Sequence, residues 1–253
     1  MEALGIDIGG SGVKGNPVDL DTGQPTAERF RLDTPQPSTP QAVAETVRKV
    51  VEHFNWTGQV GITFPGVVFR GTIRTAANMD HAWIGVDAVK LFGEALGGQL
   101  GDGANVTVLN DADAAGLAEM AHGVGRGRSG VTLMLTFGTG IGSALFIDGK
   151  LVPNTEFGHL QIRGKDAEKR ASARVRAEKD LSWEKWAKRV EEYLETVEAL
   201  LSPDLVVLGG GVTNHPDRFV PLLHVPNTEV VPAELANEAG IVGAAMATVS
   251  TTA

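Results

Sequence analysis

The chain of 253 residues carries a formal net charge of −9, contains no cysteine and is 42% hydrophobic. That is the composition of a folded, core-forming protein; it excludes disulfides and thiolate metal sites and points to a reducing cytoplasm. The acidic balance argues against whole-surface nucleic-acid binding, no apolar run approaches the ~18 residues of a membrane span, and no basic region like that of a signal peptide opens the chain.

Residues 3–8 alternate into a strand, Gly9-Gly10-Ser11-Gly12 is a tight turn, and Val13 to Val18 return as the second arm of a hairpin. A third strand is expected at 26–32, ahead of the proline-rich loop Thr34 to Pro40. Thr39 is a good N-cap and Pro40 a good first helical residue, and Val43, Val47, Val50 and Phe54 follow at helical spacing. Val60 to Phe64 forms the next strand, residues 67–86 read as loop, and a helix over about 87–96 leads to a strand ending at Asn110. After a helix at 111–122 the order begins again, with a strand from Val131 to Phe137, a turn at Gly138-Thr139-Gly140 and a return strand from Ile141 to Ile147. A long helix from about Ser182 to Leu201 carries Trp183, Trp186, Val190, Leu194 and Val197 on one stripe, with Pro203 as its stop. Core packing is the expected use of that stripe and a subunit contact the alternative. Leu205 to Leu208 is a buried strand followed by Gly209-Gly210-Gly211, and the last helix, about 238–248, is small and apolar.

The hairpins are weakly similar, IDIGGSGV at 6–13 beside LTFGTGIG at 135–142, which implies a duplicated unit. An α/β fold of two related lobes around a cleft is expected, 1–109 and 110–237, with the C-terminal helix of about 238–253 packing back on the first.

Chemistry gathers at few places. The run Val106 to Leu109 delivers Asn110 and Asp111 to the carboxyl end of a strand, where ligands collect in open α/β sheets, and a helix starts at once. A helix N-terminus favours an ionised Asp111 able to accept a proton, although the same residue could serve only as a cap. Backbone amides in glycine-rich turns form concave anion sites. Asp7 precedes one such turn, with Ser11 and Lys14 flanking it; Thr136 and Thr139 lie on the other. Facing turns of this kind could grip a phosphate chain, with Asp7 holding Mg²⁺ through water, since Mg²⁺ keeps several waters and takes few carboxylates. Glu156 and His159, three apart, join Asn110 and Asp111 as the donor and acceptor mixture that a hydroxyl-rich ligand needs.

On these motifs the chain resembles the ROK family (repressors, open reading frames, sugar kinases) of the actin-like, ribonuclease H-like ATPase fold. LGIDIGGSGVK at 4–14, GITFPGVV at 61–68, VLNDADAAG at 108–116, LTFGTGIGSAL at 135–145, EFGH at 156–159 and LGGGV at 208–212 carry the resemblance over nearly the whole chain. It implies Asp111 as catalytic base, Asn110, Glu156 and His159 on the sugar hydroxyls, and Gly66 and Asn78 lining the same pocket. It further implies that Gly9 to Gly12 and Gly138 to Gly140 hold phosphates, and that Gly209 to Gly211 lie beside the adenosine of a nucleotide.

One departure is large. Family members follow EFGH with a cysteine-rich zinc segment whose last glutamate reaches the sugar, whereas this chain has no cysteine, so no structural zinc is expected. In its place, residues 161–189 hold ten basic residues against five acidic ones. Either this is a solvated face with i,i+4 pairs, or Arg163, Lys165, Lys169, Arg170, Arg174 and Arg176 form a track for a polyanion longer than ATP. Arg126 and Arg128 could extend it. The zinc-less form with EFGHLQIRGKDAE is similar to the polyphosphate-using glucose kinases of the family. The expected activity is phosphorylation of the glucose 6-hydroxyl from polyphosphate, and from ATP as well, with Mg²⁺, by a cytoplasmic homodimer that binds neither nucleic acid nor membrane. An ATP-only kinase of a hexose or an N-acetylhexosamine is the nearest alternative. A non-catalytic sugar sensor is a further one, which would carry a DNA-binding segment where only Met1 to Leu4 precede the first hairpin.

Overall fold

The computed structural model describes residues 1–101 and 103–249, so the last four residues of the expected C-terminal helix lie outside the described residues. Contacts divide the chain into two compact units, Met1–Ala118 with the segment from Glu238 onward, and Glu119–Asn237.

The first unit is built on a six-stranded sheet ordered β3-β2-β1-β5-β8, with β4 also paired to β2. In chain order its elements are β1 (Glu2–Ile8), β2 (Gly12–Asp19), β3 (Gln24–Pro25), β4 (Phe30–Asp33), α1 (Pro40–His53), β5 (Val60–Phe64), β6 (Val68–Phe69), β7 (Thr72–Ile73), α2 (Ala88–Leu96) and β8 (Val106–Asn110). The helix α3 (Asp111–His122) follows β8 directly, and the unit boundary falls inside it. β1 and β2 are antiparallel, whereas β1, β5 and β8 run parallel. Thr39 caps α1 by accepting the Ala42 amide at 3.4 Å, Pro40 takes the first turn, and Val43, Val47 and Val50 bury one stripe against the sheet. Asp87 caps α2 in the same way, at the Lys90 amide.

On the other face lies the C-terminal helix, which is numbered last below. Its Ile241 and Ala244 carbonyls press so closely on β1 and β5 that a Cβ at Gly5 or Gly61 would collide with them. Backbone packed this tightly on backbone explains why two central strands carry glycine where a core strand would otherwise take Val or Ile.

The second unit repeats the plan in a five-stranded sheet ordered β11-β10-β9-β14-β15. Its elements are β9 (Val131–Phe137), β10 (Ile141–Ile147), β11 (Lys150–Val152), β12 (Gln161–Ile162), β13 (Lys165–Asp166), α4 (Glu168–Ala171), α5 (Ala173–Glu178), α6 (Trp183–Leu201), β14 (Leu205–Gly209) and β15 (Glu229–Pro232). The helix α7 (Ala239–Ala247) then returns to the first unit. Ser182 caps α6 at the Lys185 amide, and Ser202 in the left-handed region ends it one residue before Pro203. Trp186, Val190, Leu194 and Val197 pack on Leu133, Leu135, Val206 and Leu208 of the sheet. Trp186 is wholly buried and donates its indole N–H to the Ala171 carbonyl at 2.8 Å, while Trp183 stacks on Phe219. Trp186 is therefore core, and Trp183 packs at the edge of it.

Three stretches differ from the expected elements. The strand expected at 26–32 starts only at Phe30, because residues 24–25 pair with β2 first and Ala27 gives its carbonyl to the Asn16 side chain. The expected loop at 67–86 contains the β6–β7 hairpin and a single turn of 3-10 helix at His81–Trp83, pieces too short for any periodicity to register. The basic segment at 161–189 is a hairpin and two short helices before α6 begins, not one helical face.

Candidate functional site

Asn110 ends β8 and Asp111 opens α3. The cap falls to Asn110: its Oδ1 accepts the amides of Ala112 and Asp113 at 2.8 and 3.0 Å, and its Nδ2 donates to the Gly66 carbonyl at 3.1 Å. Asn110 is buried, and these three bonds spend most of its hydrogen-bonding capacity, leaving a single side-chain N–H. Asp111, half-buried, accepts the Ala112 amide at 2.9 Å. The helix N-terminus favours its ionised form, and the tie between Asn110 and Gly66 fixes the strand end that presents it.

The Gly9–Gly12 turn closes the β1–β2 hairpin through the Gly9 amide and the Gly12 carbonyl at 2.9 Å, and Thr34 donates its hydroxyl to the Gly9 carbonyl. Asp7 stands just before the turn, with Lys14 Nζ 3.3 Å from Oδ2 and the Thr63 hydroxyl donating to Oδ1 at 2.7 Å. Asn78 is exposed and its Cβ lies 3.8 Å from where a Gly10 Cβ would be, so it abuts this turn. Asp7, Lys14, Gly66, Asn78, Asn110 and Asp111 all belong to the first unit. Sequence reasoning missed two side chains here. Thr63 stands directly across from Asp7, a relation that only strand register reveals, and Arg31 donates to the Ser11 carbonyl at 2.9 Å.

In the second unit the Gly138 amide donates to the Gly140 carbonyl, and the Gly138 carbonyl accepts the Arg174 amide at 3.1 Å. Thr136 is half-buried and Thr139 exposed beside this turn. Glu156, Phe157, Gly158 and His159 pack on β10: Ser143 Oγ accepts the Phe157 amide at 2.9 Å, and a Cβ on Gly158 would run into the Ile141 carbonyl. Only glycine lets that turn lie so close to the strand. His159 Nε2 is 3.8 Å from Glu156, and its Nδ1 is 3.7 Å from Asp166. Burial pushes the Glu156 carboxyl above its ordinary range, with nearby His159 opposing and the Glu168 charge adding to the rise. That shift occurs although two-fifths of the side chain is open to solvent.

Glu168 was missed as well; sequence reasoning counted it only among the acids of the basic segment. Its carboxylate occupies the space a Cβ on Gly140 would need. The available signal was its place just after the short turn that follows EFGH. His159, Asp166 and Glu168 bring ligand atoms within 4.8 Å of one another, and Lys169 Nζ sits 2.7 Å from Asp166. Gly209 ends β14 and Gly210 takes a positive φ of 86°, its backbone lying against Phe137.

Five of the six residues of the expected basic track have partners within the second unit. Arg163 and Arg170 both converge on Glu192, at 2.5 and 2.6 Å, and hold its carboxyl below its ordinary range, Arg163 foremost. Lys169 is taken by Asp166. Arg176 lies over the Trp183 ring, 3.6 Å from its centroid, as part of the core edge. Lys165 and Arg174 stay exposed, Arg174 beside the Gly138 turn. Arg126 is exposed, and Arg128 forms a two-pronged pair with Glu229. Local charge pattern hid the pairing at Glu192, which lies 29 residues from Arg163 and 22 from Arg170.

Residues 3–173 match the ROK family. The polyphosphate glucokinase of Mycobacterium tuberculosis is 54% identical over 249 residues, covering 98% of this chain and 92% of that one. The crystal structure of an inorganic polyphosphate/ATP-glucomannokinase from Arthrobacter sp. strain KM superposes with a TM-score of 0.90 at 47% identity, covering 98% of each chain. A ROK family glucokinase from Streptomyces griseus, solved with glucose and AMPPNP, shares the fold with a TM-score of 0.82 at 23% identity, over 98% of this chain and 99% of that one. The mixed α/β units are those of the actin-like ATPase fold.

Proposed function

Because the chain belongs to the ROK family, we propose that it transfers the terminal phosphoryl group of inorganic polyphosphate, and of ATP, to the 6-hydroxyl of glucose. The single observation that carries the reading is the placement of Asp111, a half-buried carboxylate at the carboxyl end of a parallel strand whose helix is capped by its neighbour. Asp111 takes the proton from the sugar hydroxyl as that oxygen attacks phosphorus. Gly66, Asn78, the remaining Asn110 N–H, Glu156 and His159 hold the other hydroxyls. Asp111 therefore meets one oriented acceptor rather than water.

Gly9 to Gly12 with Ser11 and Lys14, and Gly138 to Gly140 with Thr136 and Thr139, bind the phosphoryl oxygens through backbone amides and short polar side chains. Gly209 to Gly211 lie beside the nucleoside when ATP is the donor, with open space where a Cβ on Gly211 would stand. Lys165 and Arg174 are the members of the basic segment proposed to meet a longer polyphosphate.

The Asp7 carboxylate fits Mg²⁺ held through water, because both of its oxygens already have protein partners, the Lys14 ammonium and the Thr63 hydroxyl. When bound, Mg²⁺ would neutralise charge on the transferring group. The absence of cysteine supports action in a reducing cytoplasm, and family resemblance supports a homodimer. Likeness to a glucomannokinase favours mannose as a second acceptor.

The test is product formation from glucose with Mg²⁺, offering polyphosphate and ATP in separate reactions. Glucose 6-phosphate from both is the expected result. Product from ATP alone would replace this reading with the ATP-only kinase, and none from either would reject catalysis.

A further inference from the structure

Four residues stand in one cross-strand row of the first unit's sheet: Thr63 on β5, Asp7 on β1, Lys14 on β2 and Arg31 on β4. Residues directly opposite one another point to the same face, here the face that also carries α7, whose Gly240 lies against the Asp7 carboxylate. Thr63 and Lys14 hold Asp7. Beyond them, Lys14 and Arg31 are two cations placed side by side, an arrangement that disfavours the pairing of their strands unless something anionic lies over them.

The protein supplies little of that anion. Asp7 answers Lys14, but the partner of Arg31 is Asp33, whose side chain is 85% exposed, so this pair is weak and easily exchanged. The Arg31 guanidinium reaches back over the hairpin end, with Nη2 donating to the Ser11 carbonyl at 2.9 Å. Nε would lie 2.7 Å from a Cβ on Gly12. The guanidinium thus forms one rim of the Gly9–Gly12 turn, and half of its surface stays open to solvent.

We propose that Arg31, with Lys14 beside it, binds the part of a polyphosphate chain that extends past the Gly9–Gly12 turn. The inference rests on the polyphosphate reading above and adds a donor-selecting residue to it. The Arg31 guanidinium sits at the outer rim of the turn, beside Ser11 and Gly12, where a donor that continues as phosphate past the turn meets it. A guanidinium suits the task because its planar fork meets phosphate oxygens two at a time.

The experiment compares the full-length protein with Arg31→Gln, Arg31→Lys and Arg29→Gln, since Arg29 is equally basic but pairs with Glu238. KM for long-chain polyphosphate and for ATP is measured for each, with polyphosphate binding followed separately by calorimetry. In Arg31→Gln the ratio of the polyphosphate KM to the ATP KM rises about tenfold, and calorimetric affinity for polyphosphate falls by a similar factor. Arg31→Lys recovers most of the loss, and Arg29→Gln keeps the wild-type ratio. An unchanged ratio in Arg31→Gln, with wild-type binding of polyphosphate intact, overturns this inference alone. Equal weakening towards both donors with a lowered Tm marks Arg31 as a brace for Ser11 and overturns it too. A wild-type chain that neither binds nor uses polyphosphate brings down the donor reading itself, and this inference with it.

Discussion

The β1–β2 and β9–β10 hairpins share one plan and differ in chemistry. In each, the first strand has an antiparallel partner on one side and two successive parallel strands on the other. Two places before the glycine turn stands Asp7 in the first and Thr136 in the second. Asp7 stands in register between Lys14 and Thr63, so charge and a hydroxyl close on it from both sides. Thr136 stands in register between Gly142 and Gly209, so neither residue opposite it carries a side chain. Duplicated topology has been filled once with an anchored carboxylate and once with a hydroxyl between two glycines, the Met134 methyl lying where a Cβ on Gly209 would stand. The first therefore offers a fixed charge and the second only a neutral hydroxyl.

The sharpest way to break this comparison is to treat the two positions alike. Asp7→Asn is expected to lower kcat by about 10²–10³ with either donor, whereas Thr136→Val raises the donor KM only severalfold, in steady-state assays of both. Comparable effects of the two would mean that the hairpins share one role. Thr63→Val removes the hydroxyl that steadies Asp7 in a buried position, so a denaturant titration should show a loss of about 1–2 kcal/mol. Part of the loss should persist in the Asp7→Asn background, because the Thr63 hydroxyl also accepts the Ile8 amide at 3.2 Å.

A smaller effect is expected at Glu192, which gathers Arg163 and Arg170 in the second unit. Its carboxyl is held below the ordinary glutamate value of 4.5, so its stabilisation is present above that value and lost as pH falls through the depressed one. Glu192→Gln should cost about 1 kcal/mol at neutral pH, with the gap to wild type closing on acidification, because Arg163 is largely exposed and screened.

Glu156 has the opposite sign. Its carboxyl is raised, so the stability it contributes is present below 4.5 and lost as pH rises through the elevated value. An ionised Glu156 is the better acceptor for sugar hydroxyls, and glucose affinity measured by calorimetry should therefore improve across that same window. Glu156→Gln should flatten the profile; a profile unchanged by the substitution would remove Glu156 from the sugar site.

Much of this was readable from the chain because the signals were local. The Thr39-Pro40 helix start, the Ser182 cap with Pro203 beyond, and the delivery of Asn110 and Asp111 by a short apolar run all depend on neighbours in sequence. The cap role was legible as a type but went to the wrong residue. Asn110 outcompetes Asp111 for it because a side chain just before the first turn meets the orphan amides of the second and third helical residues. What stayed hidden depends on register or on distant charge. Thr63 and Arg31 come to the glycine turn only once β5 and β4 have paired. Glu192 neutralises arginines that sequence reasoning left for a ligand, and Glu168 reaches Gly140 only after the chain has folded back from the β12–β13 hairpin.

The most direct measurement is the kcat of Asp111→Asn for glucose phosphorylation, with the glucose dissociation constant of the same protein determined by calorimetry. A carboxamide keeps the shape and removes the base, so turnover is expected to fall by roughly 10²–10⁴ while glucose binding stays within a few-fold of wild type. Turnover close to wild type would contradict the assignment of Asp111 as the proton acceptor, and with it the account of how this chain phosphorylates a sugar.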